Sequence, residues 1–415
     1  MTFHWFISGT VRQADAMVKH VRKLLNHQRD VLAPKSVEEM EKALGDVESA
    51  IRAKADKAAL QKQMEGLEAA TGKWIKPYPN AAWRENVEVL LVALAVALGI
   101  RTFFLQPFKI PTGSMQPTLF GVNSLPDFTR PMRSRAEVDE QNRLRDEMKI
   151  PTGLERVKQW FQGSSYIHIV AETDGQLESV GAPLRLLIFN IKQTVRFGGR
   201  EYTLWFPPDY GAPTLDQRAG VRIGQTFRKG EDVIKMRVNA GDHLFVDRMS
   251  YNFVPPSRGQ IVVFETKGIP EERRENPPYW SIPADQFYIK RLVGLSGESI
   301  RIGDDRHLVI NGRRLDAMVP HFENVYGFDP KTPPHDSIFS GHVNEKISGQ
   351  LVPLFRDGSM TYKIGEGNVM VMGDNSMNSL DSRFWGDFPE TAIIGRAFSV
   401  YWPITDRFGW ACIAH

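Results

Sequence analysis

Apolar residues recur along the first seventy positions with helical spacing. Val11, Ala14, Val18, Val21 and Leu25 fall three and four apart, as do Val37, Met40, Leu44, Val47 and Ile51, which places each set on one helix face. The pattern predicts two helices over residues 11 to 70, divided at Pro34, with Ser36 and Glu39 spaced as a capping box and Thr71-Gly72 as a stop. An antiparallel hairpin that buries its own stripe accounts for the spacing, with a partner-binding coiled coil as the alternative. Gly45 and Gly66 weaken both helices.

The pattern then changes character. Trp74, Tyr78 and Trp83 gather near Lys73, Lys76 and Arg84, a composition suited to a membrane interface. The stretch from Val89 to Ile100 carries no charge. It extends to Val87 and Leu105 if Glu88 lies near one interface and Arg101 snorkels to the other. A transmembrane helix over 84–106 is the expectation. A buried core helix is the alternative, because the uncharged run is shorter than the ~20 residues a bilayer requires. The slight excess of Lys and Arg before the run puts its N-terminal side in the cytoplasm.

Beyond residue 120 the periodicity is of two kinds. Residues 130 to 162 are charged and helical in pattern, and 166–172 and 184–191 read as strands. The runs 194–197 and 201–206 flank Gly198-Gly199, a hairpin signal because both central positions accept positive φ. From Gly241 onward strands dominate, at 244–247, 260–265, 287–293, 299–302, 307–310, 369–372 and 394–402, with turn residues between them. The fold class is mostly β, with an N-terminal helical hairpin, one transmembrane helix and a β-rich insertion.

Composition narrows the function classes. With 52 basic against 49 acidic residues among 415, the mixed charge makes no nucleic-acid surface. A single cysteine, Cys412, excludes an intramolecular disulfide and a cysteine-based zinc site. Met1 to Ile7 is too short for the apolar core of a secretory signal. No glycine-rich phosphate loop, HExxH helix or repeat is present.

Three stretches could carry chemistry. In Ile110-Pro111-Thr112-Gly113-Ser114-Met115-Gln116-Pro117 the prolines stiffen both flanks, so that Ser114 is presented by a rigid extended loop or stands in an ordinary turn. A nucleophilic serine needs a base. His243, His307 and His335 lie in no motif, and Ser114 is not in a GxSxG elbow. Lys290 lies in Tyr288-Ile289-Lys290-Arg291-Leu292-Val293, where strand alternation puts Tyr288, Lys290 and Leu292 on one face. Buried there, its amine would lose its charge and could accept a proton; on an edge strand it would simply point to water. The third stretch, 373–386, gathers Asp374, Ser376, Ser379, Asp381 and Arg383, more polar groups than an ordinary turn holds.

Together these stretches resemble the type I signal peptidases of bacteria, Ser/Lys serine proteases of the membrane. The blocks RTFFLQPFKIPTGSMQPTL from Arg101, GDHLFVDRMSYNFVPPSRGQIVVF from Gly241, YIKRLVGLSGESI from Tyr288 and GDNSMNSLDSRFWG from Gly373 occur in the family's order. The resemblance covers roughly residues 87 to 120 and 241 to 410. It implies Ser114 as nucleophile and Lys290 as general base. The Ser114 N–H and the Thr112 hydroxyl would form the oxyanion hole. Ser379 would orient the base, Asp381 and Arg383 would form a structural pair, and Met115 and Tyr288 would line the cleft.

The same resemblance implies neither cofactor nor metal. Its substrates would be preprotein signal peptides with small residues before the scissile bond, its other partners membrane lipid and the protein export machinery. The expected setting is the bacterial cytoplasmic (inner) membrane, single-pass, with the catalytic domain on the extracytoplasmic side. The expected segments are 1–80 for the helical hairpin, 84–106 for the membrane helix, 107–120 and 241–415 for the catalytic β domain, and 121–240 for an inserted α+β subdomain. Two departures stand out: Ser376 where the family usually has arginine, and the long connections 121–240 and 313–362. A soluble self-cleaving repressor-type protease shares the dyad, but the membrane run and the GDNS…DSR block argue against it. A non-catalytic membrane scaffold would need to have lost Ser114 or Lys290, and both are present.

Overall fold

The structure, a computed structural model, describes residues 9–75, 81–129, 132, 134–186, 189–276, 279–327 and 341–410. Lys76, Tyr78, His335 and Cys412 lie outside the described residues. The chain divides into two compact units, Met1–Val96 and Ala97–His415.

The first unit packs three helices where the periodicity predicts two: α1 (Gly9–Gln28), α2 (Pro34–Arg52) and α3 (Lys57–Trp74). The stripes of α1 and α2 are buried together, and Leu60 and Leu67 of α3 complete their core. The extra break falls at Lys54, in the left-handed region with φ +54°. Asp56 then restarts the helix by accepting the Ala59 N–H at 2.7 Å, a capping bond that leaves little trace in a hydrophobic pattern. The expected capping box at Ser36 does not form. Helix α2 begins three residues earlier, with Ala33 as its N-cap and Pro34 in its first turn, where the missing N–H costs nothing. Trp74 packs against this helical core, whereas Trp83 is exposed.

Helix α4 (Ala81–Phe103) carries the apolar run and ends before Leu105, three residues short of the expected boundary at 106. Its Trp83–Phe103 stretch is long and apolar enough to cross a membrane, and none of its most apolar window is buried by protein.

The second unit opens with β1 (Leu105–Lys109). The chain then makes a turn carrying Ser114 and enters an insertion that holds α5 (Gly153–Phe161), β2 (Ser164–Val170), β3 (Phe189–Phe197), β4 (Arg200–Trp205) and β5 (Asp232–Asn239). The β3–β4 hairpin turns on Gly198 and Gly199, with φ of +55° and +74°, as the Gly-Gly pair predicts. Asn123–Leu125, β5 and β2 form one small sheet, and β3 centres a second. Between them lies a separate core that includes Ile167, Leu177, Phe197 and Met236.

The chain returns through β6 (His243–Asp247), β7 (Ile261–Glu265), β8 (Phe287–Gly294), β9 (Asn368–Met372) and β10 (Ile393–Trp402). With β1 and Phe388–Pro389 these make a seven-stranded antiparallel sheet in the order β1-β6-β10-β7-β8-β9-Phe388–Pro389. Strand β8 is therefore interior, which decides between the two readings of Lys290. A four-stranded sheet built on Ser299–Ile302 buries a further core with Phe322, Tyr326 and Phe355 from the 313–362 connection. The fold is mostly β, with N-terminal helices, as expected from sequence. The two ends of the insertion meet: Asp242 N–H donates to the Phe120 carbonyl at 2.8 Å, and Phe120 N–H to the Asp242 carboxylate at 2.7 Å.

The sheet is fastened to the site loops by a buried ion pair. Arg291 of β8 reaches Asp374 with Nε–Oδ1 at 2.7 Å and Nη2–Oδ2 at 2.6 Å, and Thr118 donates to the same carboxylate at 2.5 Å. Breaking such a pair leaves a buried, uncompensated charge, which costs about 3–5 kcal/mol. Arg291→Met is expected to lower unfolding stability by that amount, measured by denaturant unfolding of the full chain in detergent, and Thr118→Val by about 1–3 kcal/mol. Near-native stability of Arg291→Met would show that the pair does not hold the site loops.

Candidate active site

Ser114 sits on a single 3-10 turn, Gly113–Met115, entered from extended backbone at Thr112, and not in the extended loop its flanking prolines predict. The turn is held from a distant part of the chain. Asn375 donates its backbone N–H to the Ser114 carbonyl at 3.0 Å and its side-chain amide to the Gly113 carbonyl at 3.1 Å. Met115, expected to line the cleft, instead packs in the core with Ile110, Leu119, Leu244 and Val246, wholly buried. An apolar side chain at that point of the turn has more surface to lose inside than beside a polar cleft.

Lys290 approaches from β8. It pairs with Val262 of β7, and from Arg291 onward β9 occupies the other edge of the strand; its side chain shares a face with Tyr288 and Leu292, as strand alternation predicts. Its Nζ lies 2.8 Å from Ser114 Oγ and donates to the Ile289 carbonyl at 3.1 Å. Burial pushes the amine down to about 8, against the pull of the Asp381 and Asp374 carboxylates, which favour its charge. Neither carboxylate bonds to it. Asp374 is taken by Arg291 and Thr118. Asp381 is taken by Arg383, through Nε at 2.8 Å and Nη2 at 3.1 Å, and by the Gly373 N–H at 3.0 Å. Although burial raises it, the Arg383 guanidinium holds the Asp381 carboxyl below the usual carboxylate range.

Ser379 does not hydrogen-bond Lys290 here. Its buried hydroxyl lies against the Asp381 carboxylate without a bond of good geometry. Arg383 fixes its backbone, since Nη2 donates to the Ser379 carbonyl at 2.9 Å and to the Ser376 carbonyl at 2.7 Å. Ser376 accepts the Val343 N–H at 3.1 Å, and Arg383 donates to the Val343 carbonyl at 3.1 Å. The second long connection thus reaches the site loop through Ser376 and Arg383.

A cleft of about 600 Å³ opens on the dyad, lined among others by Phe108, Lys109, Thr112, Ser114, Tyr288 and Lys290. Thr112 is exposed to it. Of the histidines considered from sequence, His243 pairs with Lys109 across the β1–β6 ladder and is pushed by burial down to about 4, and His307 is buried against Tyr326. Neither bonds to Ser114. The ion pair of Arg291 and Asp374 lies on the face of β8 opposite Lys290 and is not announced by any motif in the sequence. A charged residue in an interior strand is the signal that could have found it. Among the described residues no group of His, Cys, Asp or Glu is arranged to hold a metal ion.

Comparison with known proteins bears on the family of the chain. The chain is similar to signal peptidase I of Leptolyngbya laminosa, 31% identical over 173 residues that cover 41% of this chain and 65% of that protein. It is also similar to a probable signal peptidase I of Synechocystis, 28% identical over 39% of this chain and 56% of that protein. The chain thus spans less than two thirds of the length of these curated relatives. A crystal structure of a signal peptidase I from Enterococcus faecalis V583 aligns with 34% of this chain and 97% of its own, at 24% identity and a TM-score of 0.21, a superposition that carries no argument. The sequence model of one family, signal peptidase, peptidase S26, matches residues 83–125 and 226–402. These segments make up more than half of the chain and contain both Ser114 and Lys290, so the chain belongs to the signal peptidase family, peptidase S26.

Proposed function

We propose that this chain is a membrane-anchored serine endopeptidase that removes signal peptides from preproteins through a Ser114/Lys290 dyad. The observation that carries the reading is the buried 2.8 Å contact between Nζ and Oγ. A neutral Lys290 amine takes the Ser114 proton as Oγ attacks the scissile carbonyl carbon. The C–N bond then breaks, the ammonium returns the proton to the leaving amine, and the signal peptide remains as an ester on Ser114. Water, deprotonated by the same amine, attacks the ester and releases a carboxylate and the free serine. The Ser114 N–H and the Thr112 hydroxyl are assigned to the oxyanion. Ser379, whose unpaired hydroxyl is buried in the same loop system, is assigned to orient the Lys290 amine.

Substrates with small residues before the scissile bond, lipid and the export machinery are the partners that follow from this reading. The setting is the bacterial cytoplasmic membrane, crossed once by α4 with the catalytic unit on the extracytoplasmic side. Protease digestion of the helical unit in inside-out vesicles tests that topology. Protection of the helices in those vesicles would reverse it.

Cleavage of a preprotein in detergent is expected to fall at least a thousandfold in both Ser114→Ala and Lys290→Ala, since removal of a nucleophile or its base abolishes covalent catalysis. Retained cleavage in either variant would overturn the dyad. With the base at about 8, roughly a tenth of the amine is neutral one unit lower and half at that pH. The rate constant kcat/KM should therefore rise about fivefold from pH 7 to 8, and a flat profile would remove Lys290 as the base. Gly373 closes the site from behind. A Cβ there would lie 2.3 Å from Ser379 Oγ and 2.5 Å from the Ser114 carbonyl oxygen. Gly373→Ala is expected to cost about 1–3 kcal/mol of stability, as overpacking does, and to lower kcat more than it raises KM. An unchanged kcat would mean that the turn tolerates displacement.

A further inference from the structure

The insertion places two free sheet edges on one groove. Among the described residues strand β2 is outermost in its sheet, and β4 pairs only with β3. Both line a groove of about 760 Å³, which Trp160 and Arg156 of α5 close on one side. In the β2–β5 ladder Gly163 accepts from Ala240, and the register runs Ser165↔Val238, Ile167↔Met236 and Ile169↔Ile234. Hydrogen-bonded pairs alternate in an antiparallel ladder. The backbone groups of Ser165, Ile167 and Ile169 thus face β5, and those of Tyr166 and His168 face outward. In the hairpin, Phe206 N–H donates to Ile191 and the closing pair is Phe197↔Arg200. By the same alternation Thr203 and Trp205 turn their amides and carbonyls outward. Two rows of backbone groups with no partner among the described residues, from two different sheets, therefore line one groove.

Edges of this kind are normally covered or blunted because they recruit another strand. Here they are flanked by exposed aromatics, Trp205 at 66% and Phe206 at 71%. Phe206 also sits at φ +49°, a strained conformation for a bulky residue and one that tends to mark functional segments. The groove and the active-site cleft have neighbouring walls. Pro207 and Pro208 end its wall, and the next residue, Asp209, pairs with Lys109 of the cleft wall at 3.0 Å.

We infer that the insertion carries a second binding site for the substrate polypeptide, an extended segment of which adds as a β-strand between β2 and β4. Continuity with the cleft selects the substrate as occupant, because the wall of the groove and the wall of the cleft meet at the Asp209–Lys109 pair. Backbone pairing supplies affinity with little dependence on sequence, as strand addition does elsewhere. The site rests on the peptidase reading for the identity of its ligand.

The experiment uses the full-length chain in detergent, with a preprotein and with a short peptide that spans only its cleavage site. Thr203→Pro removes an outward N–H while leaving the ladder to β3 intact, a position where an edge strand tolerates proline. Trp205→Ala removes an exposed aromatic wall. Each is expected to lower kcat/KM for the preprotein about five- to tenfold and to leave the short peptide unaffected. Binding of labelled preprotein to Ser114→Ala should weaken by the same factor when Thr203→Pro is added. Equal effects on both substrates, or none on either, overturn the inference. A loss seen in phospholipid vesicles but not in detergent would assign the face to the bilayer and overturn it too. If the wild type cleaves neither substrate the peptidase reading falls, yet preprotein binding that depends on Thr203 would still uphold the site, and its absence would remove that as well.

Discussion

The arrangement depends on keeping one lysine buried and unpaired. A buried ammonium is stabilised by any carboxylate it can reach, and two lie close enough to Lys290 to favour its charge, Asp374 and Asp381. Each is held by its own arginine, Arg291 and Arg383, in a pair that is itself buried. The arginines supply the charge that the carboxylates would otherwise seek from the amine. Desolvation is then the largest influence on Lys290 and leaves it beside Ser114 with a depressed pKa. The cost of burying two ion pairs is spread over the loop 373–383, which also fixes the serine turn through Asn375.

Much of this was legible in the sequence because it is local. The stripes of α1 and α2, the Gly198-Gly199 hairpin and the alternation that turns Lys290 toward Tyr288 and Leu292 follow from period and turn chemistry. The order of the four blocks carried the family. What stayed hidden depends on contacts between distant residues. Arg291 and Asp374 are 83 positions apart, and nothing local to either announces the other. Met115 shows the same limit, since its flanks cannot say whether a residue beside a nucleophile faces cleft or core. The break before α3 was missed for a different reason: it rests on one left-handed residue and one capping bond, neither of which disturbs a hydrophobic stripe.

The 313–362 connection is more than a spacer. Tyr326 shares a hydrogen bond with His342 at 2.8 Å and accepts the Leu308 N–H, and Val343 is bonded on both sides to the loop 373–383. Burial keeps His342 neutral, pushed down to about 3. An uncharged, hydrogen-bonded cushion thus fills the space behind the Asp381–Arg383 pair without adding a charge that would compete for it.

Phe120 and Asp242 bracket the whole insertion with two reciprocal hydrogen bonds, and Arg407 clamps the pair, its guanidinium bonded to Asp242 at 3.0 Å and stacked over the Phe120 ring at 4.2 Å. To the catalytic sheet, more than a hundred residues of polypeptide are topologically equivalent to a short loop between neighbouring positions. Such a junction lets the inserted body vary in size or content while the geometry at Ser114 is inherited unchanged. The insertion is thus a cassette set in at one junction, and it meets the scaffold again where Asp209 pairs with Lys109 of the cleft wall.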